Sequence, residues 1–171
     1  GALIGNLDDL HADLVHLCNI DNVVPDRLRP GITHWRRVLA GHLCGLQHRA
    51  RAHARLLAQS RVDHESIDAA LGFVRRDLEL DVPHPVVTGD DATRRQFLLA
   101  HLDRPMRVCG MVLNTGEPGG GPFWVRGRGG ELTRQIVESA QVDPVSADQQ
   151  HIFQSSTHFN PVDLVCGVRD H

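Results

Sequence analysis

The stretch Arg107–Trp124, RVCGMVLNTGEPGGGPFW, runs from an apolar segment into a Gly-rich segment, and the rest of the chain is organised around it. Its first half, Val108–Leu113, is a short apolar run typical of a buried strand. Its second half, Asn114–Pro122, holds four glycines and two prolines, which no helix or strand interior tolerates. Such a loop lets backbone approach a ligand closely, although the same composition fits a plain surface loop. An asparagine and a glutamate among the glycines, Asn114 and Glu117, favour the ligand-binding interpretation.

Composition excludes several classes of protein. A chain of 171 residues with a net charge of −3 can bury one core and is no obvious polyanion binder. The sequence contains no lysine, so no amine can form a Schiff base or clamp a phosphate. Its four cysteines form no C-x-x-C pair, which favours a reducing cytoplasm over a zinc or disulfide framework. No apolar run is long enough to span a membrane, and an initial Gly1 indicates a processed start or a piece of a longer protein.

The periodicity of apolar residues predicts an α/β fold. Strands are expected near residues 13–19, 106–113, 122–126 and 132–138. Helices are expected over residues 2–10, 33–59, 64–78, 92–102 and 147–155, with Thr33, Asp63, Asp90 or Asp91, and Ser146 as N-caps. Residues 33–102 therefore form a helical insertion between strand regions. Residues 1–171 form a single α/β domain or an internal segment of a longer one.

Polar residues follow the first predicted strand directly, in the segment Asn19–Asp26. Ligands bind at the carboxyl ends of strands in open α/β sheets, where a carboxylate such as Asp21 can hold Mg²⁺. An Asx turn that merely closes the strand explains the same residues.

Arginines accumulate without any acidic residue between Arg27 and Val62. Such a face can bind phosphates or nucleic acid. Because acidic residues follow at once and aromatic residues are scarce, a solvated face is the better interpretation and nucleic acid is an unlikely partner.

The order of the longest motifs resembles the bacterial domain-of-unknown-function family 4301. These motifs are GALIGNLDDLHADLVHLCNIDNVVPDRL, RPMRVCGMVLNTGEPGGGPF, QIVESAQVD and THFNPVDLVCGV. The resemblance runs almost end to end and is weakest over residues 60–100. It implies that the chain is an internal segment of a longer bacterial protein.

That family is in turn similar, more remotely, to the uridine-diphosphate-sugar pyrophosphorylases. This resemblance implies a glycosyltransferase-A-like mixed sheet with a helical insertion. It implies that Asp21 binds a catalytic Mg²⁺ and that Glu138 and Asn160 contact a sugar. The remaining residues expected at the site are Arg107 for a phosphate and Asn22, Asn114, Gly116, Glu117, Gly119, Gly120, Gly121 and His158 for the substrate.

The function implied is transfer of a nucleotidyl group to a sugar phosphate, with a sugar phosphate or nucleotide sugar as the small-molecule partner. The Gly-rich loop that cradles the triphosphate in those enzymes has no counterpart in the sequence, and neither does their phosphate-binding lysine. A non-catalytic sugar-phosphate or sugar-nucleotide binding module and an inactive fragment are therefore open alternatives.

Overall fold

A computed structural model describes residues 4–116, 119–128, 130–160 and 162–168, without the side chains of Ile4 and Asp21. Within these residues the elements are α1 (Ile4–Asp8), β1 (Leu14–Cys18), α2 (Arg29–Leu57), α3 (His64–Arg76), α4 (His84–Val87), α5 (Asp91–Leu102), β2 (Met106–Gly110), β3 (Gly121–Arg126), β4 (Leu132–Val137), α6 (Ala147–Gln154) and β5 (Asp163–Gly167). Short 3₁₀ turns occupy Ile20–Asn22, Asp26–Leu28 and Ser139–Gln141. The predicted mixture of helices and strands is confirmed.

The chain divides into two compact units. Unit 1 comprises Gly1–Leu17, Val24–Val108 and Leu164–His171, and unit 2 comprises Cys18–Val23 and Cys109–Asp163. A three-stranded sheet has the order β1-β5-β2, and β3 pairs with β4 in a separate two-stranded sheet. Helices α2 to α5 all belong to unit 1, and α6 belongs to unit 2.

Helix α2 begins earlier than the sequence pattern predicted. The expected N-cap was Thr33, whereas the helix starts at Arg29, and the residue before it, Leu28, makes no side-chain capping bond. Pro30 explains the difference, because a proline in the first turn lacks only an N–H that has no helical partner there. The long helix therefore covers residues 29–57 in place of 33–59.

The start signals of the next long helices were predicted correctly. The Asp63 carboxylate accepts a hydrogen bond of 2.7 Å from the Ser66 N–H at the start of α3. The Asp90 carboxylate accepts one of 2.8 Å from the Thr93 N–H at the start of α5. These bonds hold the pKa of both aspartates below its ordinary value.

The core of unit 1 lies between α2, α3 and α5. Its side chains fall at helical spacing along each helix, which is the reason these segments were recognisable from sequence. The largest fully buried side chains in this cluster are Leu57, Ile67, Phe73, Val74 and Leu98.

A polar cluster joins α2 to the C-terminal end of α3. The Arg49 guanidinium donates a 2.7 Å hydrogen bond to the Asp77 carboxylate and lies 4.6 Å from the centre of the Phe73 ring. The imidazole of His53 lies 5.2 Å from the same ring. Burial, followed by the charge of Arg49, lowers the pKa of His53, and the Asp77 charge opposes this shift only in part.

Neighbouring leucines on α2 provide a matched test of the core. Leu57 is fully buried, whereas Leu56 is 45 % exposed. We expect Leu57→Ala to lower the free energy of unfolding by about 2–5 kcal/mol, because it removes buried methyl groups and leaves a cavity. Leu56→Ala is expected to change it by about 0.5 kcal/mol or less. Equal losses in chemical denaturation would contradict the placement of this helix face.

The lowered pKa of His53 predicts a pH dependence of stability. Because the unfolded chain protonates this imidazole near its ordinary pKa of 6.5 and the folded chain only at lower pH, protons bind preferentially to the unfolded state. Stability is therefore expected to fall as the pH drops from about 7.5 to about 5.5, on either side of the ordinary histidine pKa.

Two histidine variants separate this effect from the background. His53→Gln should reduce the loss of melting temperature on acidification, whereas His48→Gln, at an exposed position of the same helix, should leave it unchanged. An identical pH profile in wild type and His53→Gln would rule out His53 as the source.

Candidate functional site

Unit 2 brings the end of the Gly-rich loop beside the segment that follows β4. The pairing of β3 with β4 is antiparallel and runs from Gly121↔Val137 to Arg126↔Leu132. Because Gly121 starts β3 and Val137 ends β4, the loop residue Gly120 and the residue after β4, Glu138, are neighbours. Gly120 and Glu138 are 18 positions apart in sequence, and the single β3–β4 hairpin aligns them.

A glutamate and an asparagine form the polar centre of the site. The side-chain Nδ2 of Asn160 donates to both carboxylate oxygens of Glu138, at 3.1 and 3.2 Å. The backbone N–H of Glu138 donates to Gln141 Oε1 at 2.8 Å, and the Gln141 N–H donates back to the Glu138 carbonyl at 2.8 Å. The turn therefore fixes the backbone of Glu138, while its exposed carboxylate keeps lone pairs for further donors.

The absence of a side chain at Gly120 permits this arrangement. A Cβ on Gly120 would collide with the Val137 carbonyl and would lie 2.7 Å from Asn160 Oδ1 and 2.9 Å from the Glu138 Cα. Gly119 has a φ of +149°, and a Cβ there would lie 2.8 Å from the Phe159 ring. The loop thus packs directly on the Asn160 segment, as expected where glycine allows close backbone approach.

One polar atom at this contact lacks a partner. Asn160 Oδ1 is buried and accepts no hydrogen bond from the residues that the structure describes. The orientation of the amide follows from its neighbour, because only the NH₂ end can donate to a carboxylate. A buried acceptor without a donor costs about 1–3 kcal/mol, so this oxygen is a position for an additional donor.

The asparagine at the start of the loop, Asn114, has a different environment. Its Oδ1 accepts a 2.9 Å hydrogen bond from the Gly116 N–H, and its Nδ2 donates to the Ser156 carbonyl at 3.4 Å. Its backbone N–H donates to the Thr157 carbonyl at 3.1 Å. Both ends of the side chain are therefore engaged in holding the loop in place.

An antiparallel bridge carries Asn160 to the site. Leu113 pairs with His158, and the Phe159 N–H donates to the Val112 carbonyl at 2.9 Å. The half-buried His158 ring lies within hydrogen-bonding distance of Thr157 Oγ1, at 2.9 Å through Nδ1. The segment before Asn160 is thus fixed to the strand extension that precedes the Gly-rich loop.

The structure does not bring every predicted residue to this point. Asn22 belongs to unit 2, and its Nδ2 donates to the Val162 carbonyl at 3.2 Å. The Asp21 side chain and the whole of Glu117 lie outside the described residues. Arg107 is an exposed residue of β2 in unit 1. The residues brought together in unit 2 are Gly119, Gly120, Gly121, Glu138 and Asn160, with Asn114, Gly116 and His158 in the adjoining segments.

Sequence reasoning overlooked the supports of the site. Gln141 fixes Glu138, and Phe159 packs beneath Gly119. The spacing Glu138-x-x-Gln141 is that of a reciprocal capping turn, so the sequence could have predicted the role of Gln141. No local signal indicated Phe159, because its contact is made across a distant pairing.

Among the described residues, no helix is long and apolar enough to cross a membrane. The same residues contain no group of three or more His, Cys, Asp or Glu side chains arranged to hold a metal ion. The Asp21 side chain lies outside them, so Mg²⁺ at Asp21 stays a prediction.

The steric requirement at Gly120 is testable by substitution. Gly120→Ala is expected to destabilise the protein by about 1–3 kcal/mol, because the new methyl group collides with Val137 and Asn160. Gly41→Ala is the matched control, since nothing lies within 4 Å of a Cβ there and alanine suits a helix interior. Denaturation that shows no loss of stability in Gly120→Ala would contradict the described contact.

No curated protein and no solved structure matches the chain. Its sequence matches the family described as "Domain of unknown function (DUF4301)" over residues 1–171. Because this match covers the whole chain, the protein belongs to the DUF4301 family.

Proposed function

We propose that the chain is the sugar-binding part of a glycosyltransferase-A-like domain that transfers a nucleotidyl group to a sugar phosphate. The single observation that supports this is the Glu138–Asn160 pair beside a loop without side chains. The carboxylate is held by one amide and by a backbone turn, so its position is fixed before any ligand arrives. Its remaining lone pairs face a surface that a ligand can approach.

The donors and acceptors of the pair suit a sugar. Sugar hydroxyl groups both donate and accept hydrogen bonds, and an ionised carboxylate accepts several at once. Asn160 Oδ1 is a second acceptor without a partner among the described residues. Glycines at positions 119 and 120 let the loop backbone pack directly against Phe159 and Asn160, which holds the pair in place. The two side chains therefore have different roles. Glu138 accepts hydrogen bonds from the sugar hydroxyl groups, and Asn160 holds the Glu138 carboxylate in position.

The chemistry of the proposed reaction needs mainly positioning. An oxygen of the sugar phosphate attacks the α-phosphorus of a nucleoside triphosphate, a new P–O bond forms, and the bond to pyrophosphate breaks. Holding the sugar fixes the attacking phosphate, which lowers the entropic cost of the step. Asn114 and Gly116 shape the loop, and Asn22, Gly121 and His158 are proposed to complete the substrate surface. The phosphate role of Arg107 stays a prediction.

A bound Mg²⁺ would supply charge stabilisation for the phosphates, with Asp21 as its proposed ligand. In proteins Mg²⁺ is usually held by one or two carboxylates together with substrate phosphates. Tight binding of Mg²⁺ alone is therefore not expected. Binding that depends on a phosphate-bearing ligand fits a single carboxylate better.

The sequence favours one second candidate, a binding module without turnover. The chain has no lysine, and a lysine is the usual point charge that clamps triphosphate groups. The Glu138–Asn160 site is the same in both proposals. Turnover alone separates them.

Thermal shift with glucose 1-phosphate tests the sugar site. Binding is expected to raise the melting temperature of the wild-type protein by ligand linkage. Glu138→Gln removes a charged acceptor, which is worth about 1.5–3 kcal/mol per hydrogen bond, and should weaken binding by at least about tenfold. Glu65→Gln, in the first turn of α3, is the matched control and should bind like wild type.

Further measurements decide between nucleotidyl transfer and binding without turnover. Pyrophosphate release from UTP and glucose 1-phosphate with Mg²⁺ supports transfer, whereas binding without release supports the module. Mg²⁺ together with UDP-glucose should raise the melting temperature more than either alone, and Asp21→Asn should abolish that joint effect. The absence of any shift with glucose 1-phosphate, UDP-glucose or UTP would refute the proposed function.

A further inference from the structure

The β3–β4 ribbon of unit 2 presents two faces, one of which packs against α6. Phe123 points to the packed side, where its ring stacks 5.5 Å from Phe153 of α6. Side chains alternate along a strand, and directly paired residues share a face. The opposite face therefore carries three cross-strand pairs, which are Pro122 with Ile136, Trp124 with Arg134, and Arg126 with Leu132.

The centre of this second face is a large exposed aromatic ring between arginines. Trp124 is 55 % exposed, and the Arg134 guanidinium lies 5.7 Å from its ring centre. Arg126 lies two residues later on the same face, and one of its N–H groups donates a 3.3 Å hydrogen bond to the Gly130 carbonyl. Neither strand, Gly121–Arg126 or Leu132–Val137, contains a carboxylate. The charge of the face is complementary to an anion, and its ring offers a stacking surface to a planar group.

This face continues into the Glu138–Asn160 site. By alternation, Gly120 and Glu138 lie on the same side of the ribbon as Trp124 and Arg134, and Glu138 is in extended conformation (φ −85°, ψ 151°). A Cβ added to Gly120 would lie 2.7 Å from Asn160 Oδ1, which agrees with this direction. Arg134 and Glu138 are four positions apart, a distance of about 13 Å along a strand.

That separation suits a ligand with a base, two phosphates and a sugar in line. We propose that Trp124 and Arg134, the nucleotide face, hold the nucleotide half of a nucleoside diphosphate sugar, an inference that rests on the proposed sugar site at Glu138. The base stacks on Trp124, since stacking on an aromatic side chain suits any base. Arg134 meets the diphosphate, because a guanidinium matches phosphate oxygens in geometry and charge.

The two tryptophans of the chain make this proposal directly measurable. The chain has no tyrosine, and its other tryptophan, Trp35, is 66 % exposed, so Trp35→Phe leaves Trp124 as the sole strong fluorophore. In that background UDP and UDP-glucose are expected to quench Trp124 fluorescence on titration. Glucose 1-phosphate, which has no base, is expected to leave it nearly unchanged.

Arginine variants test whether the contact is specific. Arg134→Gln should raise the dissociation constant of UDP-glucose about tenfold, as expected for loss of one charge-assisted phosphate contact. Arg126→Gln is the matched control, because it lies farther from Glu138 on the same face, and should raise it less than about threefold. The thermal shift with glucose 1-phosphate should be unchanged in Arg134→Gln, which also shows that this variant folds.

The outcomes separate this inference from the proposed function. A glucose 1-phosphate shift without quenching by UDP or UDP-glucose would overturn the nucleotide face and leave the sugar site standing. Quenching by UDP and UDP-glucose with equal affinities, unaffected by Glu138→Gln, would support the nucleotide face and remove the sugar site. Equal losses in Arg134→Gln and Arg126→Gln would overturn the specific contact, because they indicate general attraction of anions.

Discussion

The amide of Asn160 reaches the Glu138 carboxylate because residue 120 has no side chain between them. Three other features of unit 2 place the residues of this contact. The β3–β4 pairing sets Gly120 beside Glu138, the bridge from Leu113 to His158 brings Asn160 to the same place, and Gln141 holds the Glu138 backbone. Any side chain at position 120 would compete with the contact for the same volume.

The Glu138–Asn160 contact contributes little to the stability of the protein. The Glu138 carboxylate is exposed, and an exposed polar contact of this kind contributes little to the free energy of folding. The neighbouring Asn160 Oδ1 is buried without a donor from the described residues, which lowers stability unless something else supplies one. Stability instead comes from unit 1, where α2, α3 and α5 bury a continuous apolar cluster.

Local patterns predicted most of the secondary structure but little of the site's geometry. The helix starts at Asp63 and Asp90 were readable because a cap and its N–H partner lie three residues apart. The start of α2 was misplaced by four residues because Thr33 gave a stronger pattern than Pro30. Glu138 and Asn160 were predicted as site residues from a family resemblance, and no local sequence pattern indicates that they are in contact. The pairing of Leu113 with His158, 45 residues away along the chain, is set by tertiary contacts that periodicity does not contain.

The side-chain amide resonance of Asn160 reports most directly on the central claim that Glu138 and Asn160 act as one ligand-binding pair. In a ¹⁵N-labelled protein it is assigned by its disappearance in Asn160→Ala. The account predicts that Glu138→Gln shifts this resonance in the unliganded protein. It also predicts that glucose 1-phosphate shifts it in wild type and leaves it unchanged in Glu138→Gln. An Asn160 resonance that is indifferent to both the substitution and the sugar phosphate would contradict the account.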